Sequence, residues 1–189
     1  MRKILVAVTG ASGMVLPLKL MQMLAMLPEL DTSCVVSPMA TRVLGRELNE
    51  DEALLWALAK HAYKPDDLAA GPASGSWWLP HAGCSMVIAP CSMSTLGALA
   101  SGCGSNLIHR AGDVALKEGC RLVLVPRETP LSRIHLRNML ALAEAGAVIM
   151  PFSPGFYFNP QNINEMLTQF CWRILDQLGI AHNGPQWGS

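Results

Sequence analysis

Apolar and polar positions along this chain fall into blocks with two different periods. Short continuous apolar runs at residues 3–8 (KILVAV), 32–36, 86–90 (MVIAP), 121–125 (RLVLV) and 147–151 (AVIMP) have the length and β-branched content of strands buried on both faces. Longer stretches with helical spacing stand between them. The first follows the Gly10-Ala11-Ser12-Gly13 turn to about Leu27 and is apolar nearly all round, which predicts a helix covered on more than one side. A second starts near Met39 and runs into NEDEALLWALAKHAY, where Leu54, Leu55 and Leu58 keep the period. Further helices are predicted after CSMSTLG, over NLIHRAGDVALKEG, over about 132–145 and over about 161–178. In the last of these, Ile163, Leu167, Phe170, Ile174 and Leu178 form one stripe with Arg173 at its edge. Residues 64–83 are rich in Pro, Gly and Ser, carry Trp77-Trp78, and read as a long functional loop. Strands alternating with helices predict a single-domain α/β fold, a doubly wound parallel sheet in three αβα layers, over residues 1–180 with a tail at 181–189.

Composition narrows the partners. A chain of 189 residues suits one domain. Only 15% of residues are charged, the 14 basic and 14 acidic groups cancel, and no Lys/Arg run could track a polyphosphate, so nucleic acid is not expected as a partner. No apolar run reaches the roughly 18 to 20 residues of a membrane span, and MRKILVAVTGASG passes at once into a strand and a glycine turn. Neither signal peptide nor membrane anchor is expected. The six cysteines are scattered without a CxxC pair, which suits a reducing, cytoplasmic setting. His61, His81, His109, His135 and His182 lack the HxxxH or HExxH spacing of a metal site. The mean hydropathy of +0.29 is high for a monomer of this size. Subunit contacts are therefore expected, with the apolar first helix as their surface.

In doubly wound sheets ligands bind beyond the carboxyl ends of the strands, and three motifs fall there. VTGASG joins a strand to a helix, so its backbone N–H groups and Ser12 could cradle a phosphate; a plain tight turn with a serine cap reads equally well. APCSMSTLG has the same geometry and offers Ser92, Ser94 and Thr95, and two such loops favour a phosphate or ribityl site. In RLVLVPRETPLSRIHL the buried strand ends in Arg127-Glu128 between Pro126 and Pro130, either a structural ion pair or two groups held in position for chemistry. Arg173 could snorkel or point into a site beside its stripe, and Lys117 near its helix end could simply favour the dipole.

Together with GPASGS, NLIHRAGDVALKE, GAVIMPFSPGFYFNP and RILDQLG, these segments resemble, in order and spacing from Arg2 to about Ile180, the flavin prenyltransferases of the UbiX type. PRETPLS and PGFY are the most specific of them. The resemblance implies a flavodoxin-like or Rossmann-like subunit assembling into a large homo-oligomer, a dodecamer, with each site at a junction of subunits. It implies a metal-independent prenyltransferase that moves a dimethylallyl group from dimethylallyl phosphate to N5 and C6 of reduced FMN. The product, prenylated FMN, serves a partner decarboxylase of the UbiD type.

The residues follow by motif. Gly10, Ala11, Ser12, Ser37, Ser92, Met93, Ser94, Thr95 and Arg127 would contact FMN. Ser74, Gly75, Lys117, Tyr157 and Arg173 would surround the prenyl donor, with Glu47 a further acid near its phosphate. Glu128 would move protons, so that Glu128, Ser12, Glu47 and Lys117 form the catalytic set. Lys117, Arg173 and the Tyr157 hydroxyl would neutralise the departing phosphate without a metal. The chain departs from the family pattern at Leu16-Pro17, where a Tyr-Gly pair is usual, at Pro38 in place of Lys, and at CGSNL. Pro17 removes an N–H in the first turns of its helix and favours a bend there. Two alternatives stay open: an FMN-binding or delivery paralogue without prenyl transfer, and a flavin-dependent cysteine decarboxylase, whose PASANT-type motif this chain replaces with PASGS. The residues leave open whether the donor is a phosphate or a diphosphate.

Overall fold

The computed structural model describes residues 1–78, 83–185 and 188; residues 79–82, with His81, and Gln186, Trp187 and Ser189 lie outside them. Among the described residues, β1 (Arg2–Val8), β2 (Leu30–Val36), β3 (His61–Tyr63), β4 (Ser85–Cys91), β5 (Arg121–Pro126) and β6 (Val148–Ile149) form one parallel sheet in the order β3-β2-β1-β4-β5-β6. In β1, Ile4, Val6 and Val8 point to one face and Leu5 and Ala7 to the other, and all five are fully buried. That double burial is why the apolar runs are continuous. Helices α1 (Val15–Ala25), α2 (Pro38–Glu47), α3 (Ala53–Trp56) and α8 (Ile163–Leu178) cover the first face through Leu20, Leu44, Leu55 and Ile174. Helices α4 (Gly75–Trp78), α5 (Met93–Ser101), α6 (Leu107–Lys117) and α7 (Arg133–Glu144) cover the second through Trp78, Leu96, Val114 and Leu142.

Some elements differ from the expectation. The helix predicted to run through HAY is instead the single turn α3 followed by edge strand β3. The Lys60 N–H donates to the Thr32 carbonyl (2.8 Å) and Ser33 pairs with His61, so a tertiary partner overrides the leucine spacing. The long loop holds a 3-10 turn at Gly71–Ala73 and the one-turn α4. The strand expected over 147–151 shortens to Val148–Ile149, although Met150 and Phe152 still donate to Leu124 and Pro126 carbonyls. In α8 the buried stripe starts at Leu167, and Ile163 is exposed.

Helix α1 does not offer the expected subunit surface. Leu16, Pro17, Leu20, Met21 and Leu24 are buried within the subunit, where α1 packs on α3, α8 and the sheet. Exposed apolar side chains gather instead on α7 (Ile134, Leu136, Leu140) and at Phe156. Nor does Pro17 interrupt α1, which continues to Ala25: it is the third helical residue, where an N–H has no partner inside the helix. Pro38 likewise takes the first position of α2 behind its cap Ser37, which suits a fixed φ.

Candidate active site

The strand order reverses between β1 and β4, and in folds of this kind ligands bind beyond the carboxyl ends of the strands at such a switch point. Helices α1, α2 and α5 start there. Ser37 caps α2 by accepting from the Ala40 N–H (3.1 Å), and Ser92 caps α5 by accepting from the Thr95 N–H (3.3 Å). Ser92 Oγ also lies 3.1 Å from Thr95 Oγ1, while Ser94 is exposed. These two caps preorganise the starts of α2 and α5, whereas the serine cap read as the alternative for VTGASG does not form: Met14 holds the cap position of α1 and makes no side-chain cap bond. Thr9 ties the loops together, a role the sequence reading missed. Its buried hydroxyl donates to the Pro90 carbonyl (2.8 Å) and accepts from the Ser92 N–H (2.7 Å). The only hint in the sequence is a threonine closing the apolar run of β1.

Helix α1 starts without a side-chain cap from its own first residues. The exposed Glu47 carboxylate, from the end of α2, accepts there from the N–H groups of Gly13 (3.0 Å) and Met14 (2.7 Å). Burial pushes the Glu47 carboxyl up, but the Ser12 hydroxyl, the two N–H groups and the Arg127 charge outweigh it and hold the group below its ordinary value. The geometry thus assembles Ser12, Glu47 and Arg127, and the N–H groups that would meet an anionic ligand already hold an anion. Gly10 must be glycine: an added Cβ would collide with the side chain of Met39, whose own Cβ would be 2.6 Å away. Gly13 has φ +107°, a conformation that glycine alone adopts readily.

Arg127 leaves β5 with its N–H donating to the Cys91 carbonyl (3.4 Å), so it stands beside the β4 loop with an exposed side chain. Glu128 is exposed too, and its carboxylate accepts from the Thr129 N–H (3.0 Å). Among the described residues no ion pair joins Arg127 to Glu128. The structural-pair alternative is not the arrangement adopted.

Tyr157 and Arg173 meet at a cavity of about 510 Å³ along β6, which Met150, Phe170, Trp172, Asp176 and His182 also line. None of the flavin-loop residues lines it. Phe152 connects the two: its N–H donates to the Pro126 carbonyl (2.9 Å), a Cβ on Gly13 would lie 3.7 Å from its ring, and it meets the Phe170 ring edge-on with centroids 5.0 Å apart. Ser74, Gly75 and Lys117 are not brought to this group within one subunit. Lys117 ends α6, four residues before β5 starts at Arg121, and pairs with Glu118 at the amino edge of the sheet. A Cβ on Gly75 would lie 3.2 Å from Lys117 Nζ, and Trp77 accepts from Lys3 at the start of β1, so this whole group occupies the opposite edge from Arg127.

Three comparisons bear on this arrangement. The Flavoprotein family matches residues 1–170. The flavin prenyltransferase UbiX of Methanocaldococcus jannaschii is 39% identical over 188 residues, 99% of each chain. This chain belongs to the UbiX flavin prenyltransferase family. A dodecameric FMN-dependent UbiX-like decarboxylase from Escherichia coli O157:H7 superposes with a TM-score of 0.91 at 40% identity, covering 99% of both chains. A UbiX protein in complex with FMN and dimethylallyl pyrophosphate superposes with a TM-score of 0.89 at 41% identity, covering 98% of this chain and 99% of the other. For a chain of this family, Leu16-Pro17 and Pro38 are departures that the helix starts accommodate without distortion.

Proposed function

We propose that this protein is a flavin prenyltransferase that transfers a dimethylallyl group from dimethylallyl phosphate to N5 and C6 of reduced FMN and supplies prenylated FMN to a UbiD-type decarboxylase. The carrying observation is the group Ser12, Glu47 and Arg127, gathered where three helices start at the switch point. The Gly10, Ala11 and Ser12 turn, with Ser37, the Ser92, Met93, Ser94 and Thr95 turn and Arg127, binds the flavin and its phosphate. Tyr157 and Arg173, on one cavity wall, take the donor's phosphate and neutralise its charge as the carbon–oxygen bond breaks. Glu128, exposed beside Arg127, receives the proton that the flavin ring gives up. Ser74, Gly75 and Lys117 join a donor site only as contributions of another subunit, in keeping with the dodecamer of the E. coli relative. The domain spans residues 1–180, and the following residues as far as Pro185 lie against α8.

Mass spectrometry of flavin recovered after incubation with reduced FMN and dimethylallyl phosphate tests the activity. A gain of one prenyl group is expected. FMN recovered unmodified from a saturated protein would identify a delivery protein instead, and dimethylallyl diphosphate in a parallel reaction separates the two donors.

A further inference from the structure

The segment after α8 returns along that helix and places His182 against it. The His182 ring is 8% exposed and stacks on Trp172, with centroids 6.1 Å apart and planes 14° apart. Gly184 fixes this seat, because a Cβ there would enter the Trp172 ring. The Gly184 N–H donates to Nδ1 of His182 (2.9 Å), so Nδ1 is the acceptor and Nε2 carries the proton. Nε2 then donates to Oδ1 of Asp176 (2.9 Å). The other carboxylate oxygen, Oδ2, accepts from the Arg173 guanidinium. Asp176 thus divides its two oxygens between a packed imidazole and an arginine that is 62% exposed on the cavity wall.

We infer that His182 is a positioning residue for the donor phosphate, acting through Asp176 to aim Arg173 into the cavity along β6. This rests on the assignment of Arg173 to the donor made above. Arginine has a long, freely rotating side chain, and one N–H bound to a carboxylate that is itself held in place leaves its other donors pointing at the ligand. A carboxylate held only by solvent would not hold the arginine. Lys or a mobile tail could supply charge, but not a fixed two-pronged donor.

The test is a double-mutant cycle on the full chain, using reduced FMN and dimethylallyl phosphate as probes. His182→Phe keeps the stack on Trp172 and removes the hydrogen bond. It should raise the KM for dimethylallyl phosphate on the order of tenfold, inside the roughly 2- to 150-fold span of coupled neighbours, while FMN affinity stays as in wild type. His182→Gln, which still offers an N–H donor, should recover most of the loss, and covers the case in which the Phe variant folds poorly. In an Arg173→Ala background His182→Phe should change the donor KM no further. Additive effects of His182→Phe and Arg173→Ala would overturn the inference and leave the donor assignment standing. An Arg173→Ala variant with an unchanged donor KM would remove the donor assignment itself and the inference with it.

Discussion

Glu128 and Glu47, both proposed for the site, have different surroundings and are expected to do different work. Glu128 is exposed and accepts only a local backbone N–H, so nothing in the fold depends on its charge. Glu128→Gln is expected to bind FMN and melt like wild type while single-turnover prenylation falls by roughly 10² to 10⁴, the range for losing a positioned acid-base group. Near-normal turnover per bound flavin would take Glu128 out of the mechanism. Glu47, in contrast, holds the start of α1, and its folded-state carboxyl lies below the ordinary 4.5. A depressed acid stabilises the fold above its unfolded pKa and loses that contribution as pH falls through the folded one. The stability gap between wild type and Glu47→Gln should therefore be level above about pH 4.5 and close as the pH drops further, as read from denaturant midpoints. A gap that widens towards acid would show the opposite shift.

At the scale of elements, the cradle depends on how β1 and β4 end. Thr9 donates to one loop carbonyl and accepts from one loop N–H, both buried between the strands. Thr9→Val keeps the shape and leaves the Ser92 N–H without its acceptor, at a cost on the order of 1–3 kcal/mol, while the Pro90 carbonyl keeps the Thr9 N–H (3.2 Å). Both the melting temperature and FMN affinity should fall, since the α5 start is no longer tied to the β1 loop. If FMN affinity held while stability dropped, the tie would be structural only. The cysteines carry the complementary message: burial pushes the thiols of Cys34, Cys91 and Cys171 up to about 12, so they pack as apolar residues with no nucleophile at neutral pH.

For the whole molecule, the exposed apolar surface sets the next expectation. Ile134 (66% exposed) and Leu140 (59% exposed) stand on the outer half of α7, with Phe156 (73% exposed) in the loop that carries Tyr157. Exposed apolar side chains of this kind are the expected meeting place of copies if this chain is to assemble, and the E. coli relative is a dodecamer. Leu140→Glu removes no buried contact, so the subunit should stay folded. Light scattering should show a smaller assembly, and prenylation should drop if neighbouring copies complete the site. A fully assembled Leu140→Glu protein would place the interface elsewhere.

Strand runs buried on both faces, the approximate starts of the helices after 37, 92 and 132, and the motifs around Ser12, Arg127 and Tyr157 were all legible along the chain, because each depends on local pattern or on one residue type in one turn. The edge strand at His61–Tyr63 was not, since its three residues acquire a partner only when β2 is in place. Nor could local pattern tell that α1 is covered by α3 and α8 while α7 keeps its apolar half in the open. Lys117 shows the same limit in the site: its motif is present, but a helix feeding the start of β5 delivers it to the amino edge of the sheet. Thr9, Glu47 and His182 take their parts from partners 83, 33 and 6 residues away. Local order sets which elements form, whereas the crossover connections of a parallel sheet decide which of their ends meet.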